Sequence, residues 1–231
     1  IDVDGVPEII AGPTAYRLVD RQLTLLWRRA DRPDGFIAVG NFDGDPQGEV
    51  VVVGSGQVYM LNHDGTDAEV WNPPAHGPVA LPGGGLGGAP TVGDVDGDGI
   101  PEIGIAGFAN YLVFGRDGAL RWKRAISDMS SSSTGSTLFD FDADGSVEIV
   151  YRDEYFLRIL RGADGLLLAK LPVGSATQTE EPVVADVDND GHAEIVICSD
   201  IFRVPGTRNT GVYVIEDAAD RWVRTRRIWN Q

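Results

Sequence analysis

Short apolar runs bounded by glycine, proline or aspartate follow one another along the chain in a fixed order. Each unit reads as an apolar strand (A), an acidic loop, an apolar strand (B), a connection, a third strand (C), a tight turn and a fourth strand (D). The first unit lacks A and supplies B at Glu8–Gly12, C at Thr14–Val19 and D at Leu23–Arg29. The second places A at Gly35–Phe42, B at Glu49–Gly54, C at Gln57–Leu61 and a short D at Glu69–Trp71. In the third, A, B, C and D fall at Ala89–Val95, Glu102–Gly107, Asn110–Gly115 and Ala119–Ile126. The fourth has them at Ser136–Phe141, Glu148–Arg152, Tyr155–Arg161 and Leu166–Val173, and the fifth at Glu181–Val187, Glu194–Ser199, Gly211–Glu216 and Trp222–Trp229. Asp-Gly pairs at 64–65, 117–118 and 164–165 mark hairpin turns between C and D.

The acidic loops carry the chemistry. Asp94, Asp96, Asp98 and Glu102 stand at loop positions 1, 3, 5 and 9, with Gly99 at position 6. Alternating oxygen ligands let a short loop wrap one hard cation, and the glycine permits the turn that brings the last ligand back. Four clustered acids plus a backbone carbonyl suit calcium better than magnesium, which keeps its waters and takes fewer carboxylates. Position 12 is Ile105, in an apolar run, so this is a hairpin loop rather than an EF-hand.

The spacing recurs at Asp140, Asp142, Asp144, Glu148 and at Asp186, Asp188, Asp190, Glu194. A degraded copy, Asn41, Asp43, Asp45 and Glu49, has Pro46 in the glycine position, and the chain opens inside a fifth copy with Asp2, Asp4 and Glu8. Backbone carbonyls of Ile100, Val147 and His192 are expected to complete three of the shells. Successive motifs start 41, 53, 46 and 46 residues apart, a period fitting four-stranded propeller blades.

These units cannot each bury two faces alone, so the sequence predicts an all-β fold, a β-propeller of four-stranded antiparallel blades. Residues 1–231 form one domain with five blade repeats visible, part of a larger ring such as a seven-bladed one. In such a meander the metal loops and C–D turns share one face, and the B–C and D–A connections the other. Trp27, Trp122, Trp222 and Trp229 read as packing between blades, and Cys198 as a small buried hydrophobe. Ser130–Ser133 reads as a mobile polar connector.

Charge now has an explanation. The formal net charge is -16, but the five motifs hold 18 of the 35 acids, and five divalent ions would bring it to -6. Nothing resembles a concentrated basic face, which argues against nucleic-acid binding. A single cysteine excludes an internal disulfide, and no apolar run is long enough for a membrane span.

The repeats resemble FG-GAP and VCBS-type repeats, the calcium-loop blades of integrin α-subunit propellers and of many bacterial secreted proteins. The acidic loops carry the likeness, together with segments such as Glu8-Ile9-Ile10-Ala11-Gly12-Pro13. The resemblance implies three to five calcium ions, a secreted or cell-surface location and further flanking sequence. It also implies a non-catalytic adhesion module that binds protein or glycan on the face opposite the metals. Trp71, His76, Phe108, Tyr111, Arg152, Tyr155, Arg203 and Arg208 lie in or beside the connections of that face and are its candidate contacts. Two alternatives stand beside this reading. One is a propeller polysaccharide lyase, in which metal neutralises a uronate and Arg152, Arg203, Arg208 or His76 supplies the base. The other is a structural spacer. No nucleophile elbow, zinc spacing or phosphate-binding glycine loop is present.

Overall fold

A computed structural model describes residues 1–73, 76–200 and 210–226. Among them there is no helix, and eighteen strands form five antiparallel sheets in chain order. Blade I contains β1 (Glu8–Ile10), β2 (Thr14–Val19) and β3 (Gln22–Arg28). Blade II contains β4 (Phe36–Gly40), β5 (Glu49–Gly54), β6 (Gln57–Leu61) and β7 (Val79–Ala80). Blade III is built from β8 (Thr91–Gly93), β9 (Glu102–Ala106), β10 (Asn110–Phe114) and β11 (Leu120–Ala125). Blade IV is built from β12 (Ser136–Phe139), β13 (Glu148–Arg152), β14 (Phe156–Arg161) and β15 (Leu167–Pro172). Blade V has β16 (Val183–Ala185), β17 (Glu194–Ser199) and β18 (Gly211–Ile215).

The period-2 alternation of a strand sends successive side chains to opposite faces, so a central strand serves two neighbours. In β5, Val51 and Val53 join Ile103, Ile105, Leu112 and Phe114 of blade III, while Val50 and Val52 pack with Ile10 and Trp27 of blade I. In β13, Ile149 and Tyr151 face blade III and Val150 faces blade V. The core is therefore four apolar layers, one between each pair of adjacent blades. This is the stacking of a β-propeller.

A tryptophan seals the outer edge of three of these layers. The Trp27 indole NH donates to the His63 carbonyl (2.8 Å), and its ring covers Gly65, where an added Cβ would lie 2.6 Å away. Trp122 repeats this on blade IV, donating to the Gly162 carbonyl (2.7 Å) and covering Gly165. Trp71 lies beside Gly118 of blade III. Each covered glycine has positive φ, so the turn and the ring above it both exclude a side chain.

Several expectations are corrected. Strand D of blade II is Val79–Ala80, paired with Gln57 and Val58, not Glu69–Trp71. Trp71 is wholly buried, with its indole NH on the Gly77 carbonyl (3.0 Å), because its segment turns inward after the bridge at Leu61 and Asp67. In the last unit residues 222–226 carry only an isolated bridge, His192 to Arg224, and the rest of the expected strand, with Trp229, lies outside the described residues. Cys198 is exposed rather than buried. Its register partner is Val212, and both point away from blade IV to the outer face of blade V. The outer face of blade I, with Ile9, Leu18, Leu23 and Leu25, is exposed in the same way.

Two substitutions separate buried layers from outer faces. Trp122→Ala should cost about 2–4 kcal/mol in urea unfolding, since it opens a cavity and strands the Gly162 carbonyl. Leu23→Ala, on the outer face of blade I, should change stability by no more than about 0.5 kcal/mol.

Candidate metal centres

The turn between β4 and β5 and its counterparts in the other blades share one construction. At position 9, Glu49, Glu102, Glu148 and Glu194 are buried at the start of strand B. Each accepts the backbone amide of position 2, from Phe42 (2.7 Å), Val95 (3.0 Å), Phe141 (3.1 Å) and Val187 (2.8 Å) respectively. The aspartate at position 3 accepts the amide of position 5, and that at position 5 accepts the amide of position 7, in every loop. The position-1 carboxylate of Asp94 takes the amides of Gly97, Asp98 and Gly99. With the backbone donors on the outside, the remaining oxygens converge.

In all five loops, oxygens of two aspartates and the glutamate lie within 4.8 Å of one another: Asp2, Asp4, Glu8; Asp43, Asp45, Glu49; Asp94, Asp96, Glu102; Asp140, Asp142, Glu148; Asp186, Asp188, Glu194. Such a donor set is all hard oxygen, which fits a divalent cation of the calcium type.

Electrostatics divide the loops into two kinds. In the first, the Arg17 guanidinium sits among the acids, 2.8 Å from Asp2, 2.8 Å from Asp4 and 2.5 Å from Glu8. Arg17 also hydrogen-bonds Glu8, whose carboxyl lies below the usual carboxylate range. In the cages of Glu49, Glu102 and Glu148 no such pairing occurs among the described residues, and the glutamates of these cages and Glu194 move the opposite way. Glu102 is pushed up to about 7, chiefly by burial, with the charges of Asp96, Asp98 and Asp94 adding to it against the Val95 amide. Burial likewise raises Glu49, Glu148 and Glu194. In the cages of Glu49, Glu102 and Glu148 no basic side chain among the described residues pairs with the acids, and a cation would relieve their mutual repulsion.

Two features of the loops were not read from the sequence. Position 4 has positive φ in all five loops, at Val3, Gly44, Gly97, Ala143 and Asn189; glycine or asparagine in three of them was the available signal. Arg17 lies 13 residues beyond Asp4 on β2, and only the pairing of β1 with β2 brings it to the loop. One ligand is corrected. Val147 stands at position 8 and its carbonyl accepts the Gly162 amide (3.0 Å), so the seventh-position carbonyl of that loop belongs to Ser146. Position 6 has positive φ in four loops, whereas in the second loop Pro46 stands there and Asn41 binds the Asp45 carbonyl instead.

Burial and position change the picture of the candidate ligand contacts: Trp71, with His76 on its carbonyl, lies beside the C–D turn at Gly118 and so at the metal-loop end. Trp71, Tyr111 and Arg152 are fully buried and offer no exposed face. Tyr111 hydroxyl bonds Ser136 (2.6 Å), and Arg152 pairs with Glu180 (3.0 Å). Phe108, Tyr155 and His76 are half-buried, the last with Nδ1 on the Trp71 carbonyl; Arg203 and Arg208 lie outside the described residues. The Ser130–Ser133 connector, with Ser130 exposed, is hydrogen-bonded to the buried carboxylates of Asp128 and Glu154. Asp128 accepts from Ser131 (2.9 Å), the Thr134 amide (3.2 Å) and Thr177 (2.6 Å), while Glu154 accepts the Ser130 amide (2.6 Å).

A family model described as FG-GAP-like repeat matches residues 41–105 and 140–197. Among solved structures, the V. cholerae biofilm matrix protein Bap1 aligns with a TM-score of 0.79 at 18% identity, over 99% of this chain and 64% of that one. This chain therefore spans somewhat less than two thirds of that protein, and the likeness is one of fold. A protein of unknown function from Bacteroides caccae aligns at 0.48 and 13% identity, over 94% of this chain and 70% of that one. An Agrocybe aegerita lectin, described as recognising non-reducing terminal N-acetylglucosamine, aligns at 0.47 and 13% identity, over 95% and 65%. No curated protein matches the chain.

The raised glutamates give a signed pH prediction for chelated protein. A folded-state pKa above the unfolded value means that the folded protein holds protons the unfolded chain has released, between about 4.5 and about 7 for Glu102. Stability therefore falls as pH rises through that window. Thermal unfolding of chelated protein should give a higher Tm at pH 5 than at pH 8, and saturating calcium should restore the Tm at pH 8. Glu102→Gln should raise the Tm of chelated protein at pH 8 and diminish the further rise that calcium brings.

Proposed function

Because the chain belongs to the FG-GAP-like repeat family, we propose that it is a calcium-clamped β-propeller serving an extracellular protein as a non-catalytic adhesion or ligand-binding module. The observation that carries this reading is the convergence of three carboxylates in each of the five loops, with no basic side chain paired to the acids around Glu49, Glu102 and Glu148 among the described residues. Repeat modules outside cells meet calcium at concentrations that fill such sites. Bap1, a biofilm matrix protein, has the same fold, which supports a role in attachment or matrix assembly. The ions are structural: each closes an A–B hairpin and removes the repulsion among its acids. The ligand-bearing surface is the end away from the metals, where the buried Asp128 and Glu154 network holds the connections in place.

The lyase alternative required Arg152, Arg203, Arg208 or His76 as the base. Arg152 is buried and ion-paired with Glu180, which leaves it poorly placed to meet a polymer.

The test is calcium titration of chelated protein, with magnesium as control. Metal analysis after dialysis should find three to five calcium ions per chain, in the loops where three carboxylates converge. Each site should add about 2.7 kcal/mol of stability when free calcium is about a hundredfold above its Kd. Absence of retained calcium, with no change in Tm at millimolar calcium, would remove the basis of this reading.

A further inference from the structure

The first strands of blades II to V lie side by side and form the inner edge of the stack. Thr91 of β8 donates to the Ser136 carbonyl of β12 (3.0 Å), and Thr137 of β12 donates to the Pro182 carbonyl ahead of β16. These strands border a cavity of about 440 Å³. Because Pro90, Ser136 and Glu181 stand at or before the starts of their strands, it lies toward the end away from the metal loops. Ile37, Val39, Pro90 and Val92 form aliphatic walls, and the polar groups are Thr91, Ser136 and Glu181. The two hydroxyls bond each other (2.6 Å), and Ser136 also bonds the Tyr111 hydroxyl (2.6 Å). Glu181 differs from both. Burial alone acts on its carboxyl and raises it above the ordinary range, with no charge or donor among the described residues opposing this. Nor is it a cage acid, and the Arg152 guanidinium is taken by its neighbour Glu180 (3.0 Å). Five residues before the first loop position, the blades carry Phe36, Ala89, Gly135 and Glu181, so the charge belongs to blade V alone. Blade IV makes room for it: a Cβ on Gly135 would lie 2.3 Å from the Cγ and Oε1 of Glu181.

We propose that this inner cavity receives the side chain of a lysine or arginine carried by a partner protein. Aliphatic walls suit the methylene stem of such a side chain, while its charged head reaches the one carboxylate that the chain leaves unpaired there. The lining has no aromatic ring, so it lacks the cage that holds a quaternary ammonium. The volume falls within the range of ligand sites and admits a basic side chain together with the backbone that carries it. The protein's field works in the same direction, since the chain keeps a net charge of -6 even with five divalent ions bound. This inference rests on the reading of the protein as a binding module and supplies the chemistry of one contact at the end away from the metals.

The probes are the peptide acetyl-Gly-Lys-Gly-amide and its arginine counterpart, titrated against calcium-saturated protein and followed by saturation-transfer NMR. Salt at about 0.15 M screens general attraction to the acidic surface. Saturable binding is expected, lost when norleucine replaces the basic residue. Glu181→Gln should weaken binding at least about tenfold, a loss of about 1.4 kcal/mol, without lowering the Tm, because the carboxylate has no partner to lose. Val39→Phe narrows the cavity and leaves the charge in place; it should also weaken binding, and it keeps the test valid if the first variant fails to fold. The assignment falls if neither basic peptide binds saturably, if the norleucine peptide binds equally, or if affinity survives either substitution unchanged. It falls equally if butylamine binds and the peptides do not, since the site would then take a free amine. The Tm with and without calcium is read on the same samples. A calcium-dependent Tm without peptide binding overturns the cavity assignment and leaves the metal clamp standing, and the reverse result overturns the clamp alone.

Discussion

Each inner hairpin of this protein closes on a buried carboxylate that would rather not be charged. The glutamate at position 9 lies at the foot of strand B, takes the amide of position 2, and turns its other oxygen toward two aspartates. Burial and like charge both oppose its ionisation. A cage of this kind holds together only if protons, a guanidinium or a cation neutralise it. The first blade places Arg17 among its acids, and the other four bring two aspartates and a glutamate together in the same way.

The consequence reaches beyond the loop because position 2 belongs to three structures at once. Phe42 gives its amide to Glu49, its ring to the layer between blades II and III, and its carbonyl to Arg116 of blade III (3.0 Å). Phe141 does the same between blades IV and V, with its carbonyl accepting the Val223 amide (2.9 Å). An open loop would therefore release a core side chain and a link to the next blade. In these two repeats the cage and the stacking of the blades are coupled through one residue, whereas Val187 at the same position of blade V is exposed.

The repeat made most of the fold legible. Strand alternation fixed Glu49–Gly54, Gln57–Leu61, Glu148–Arg152 and Glu194–Ser199 at their observed bounds, because fully buried central strands have little freedom to end elsewhere. The ligand acids were legible for a similar reason, since their spacing is itself the chemistry. Outer strands were less so. They touch one neighbour instead of two, and a segment such as Asp67–Trp71 can fold inward where proline follows. Arg17 was hidden because its role depends on the register between β1 and β2, not on sequence proximity. Cys198 was misread because an apolar strand looks the same whether one or both of its faces are covered.

In a repeat protein the blades serve as controls for one another. A feature present in every blade, such as the position-9 glutamate, answers a requirement of the fold. A feature missing from one blade while the surrounding frame is kept calls for a local cause. Ala169 keeps the register, the bulge and the partner strand of its counterparts but omits the ring that seals their edge. A simple packing fault would be expected to collapse, since cavities cost stability in proportion to their volume. Here the space is walled by Phe141 and Trp222, whose rings lie 4.5 Å apart, and bordered by the Asp217–Arg221 ion pair and two cage carboxylates. The departure from the repeat is thus confined to one edge, while the strands, the bulge and the buried glutamate of the blade keep the pattern of the others.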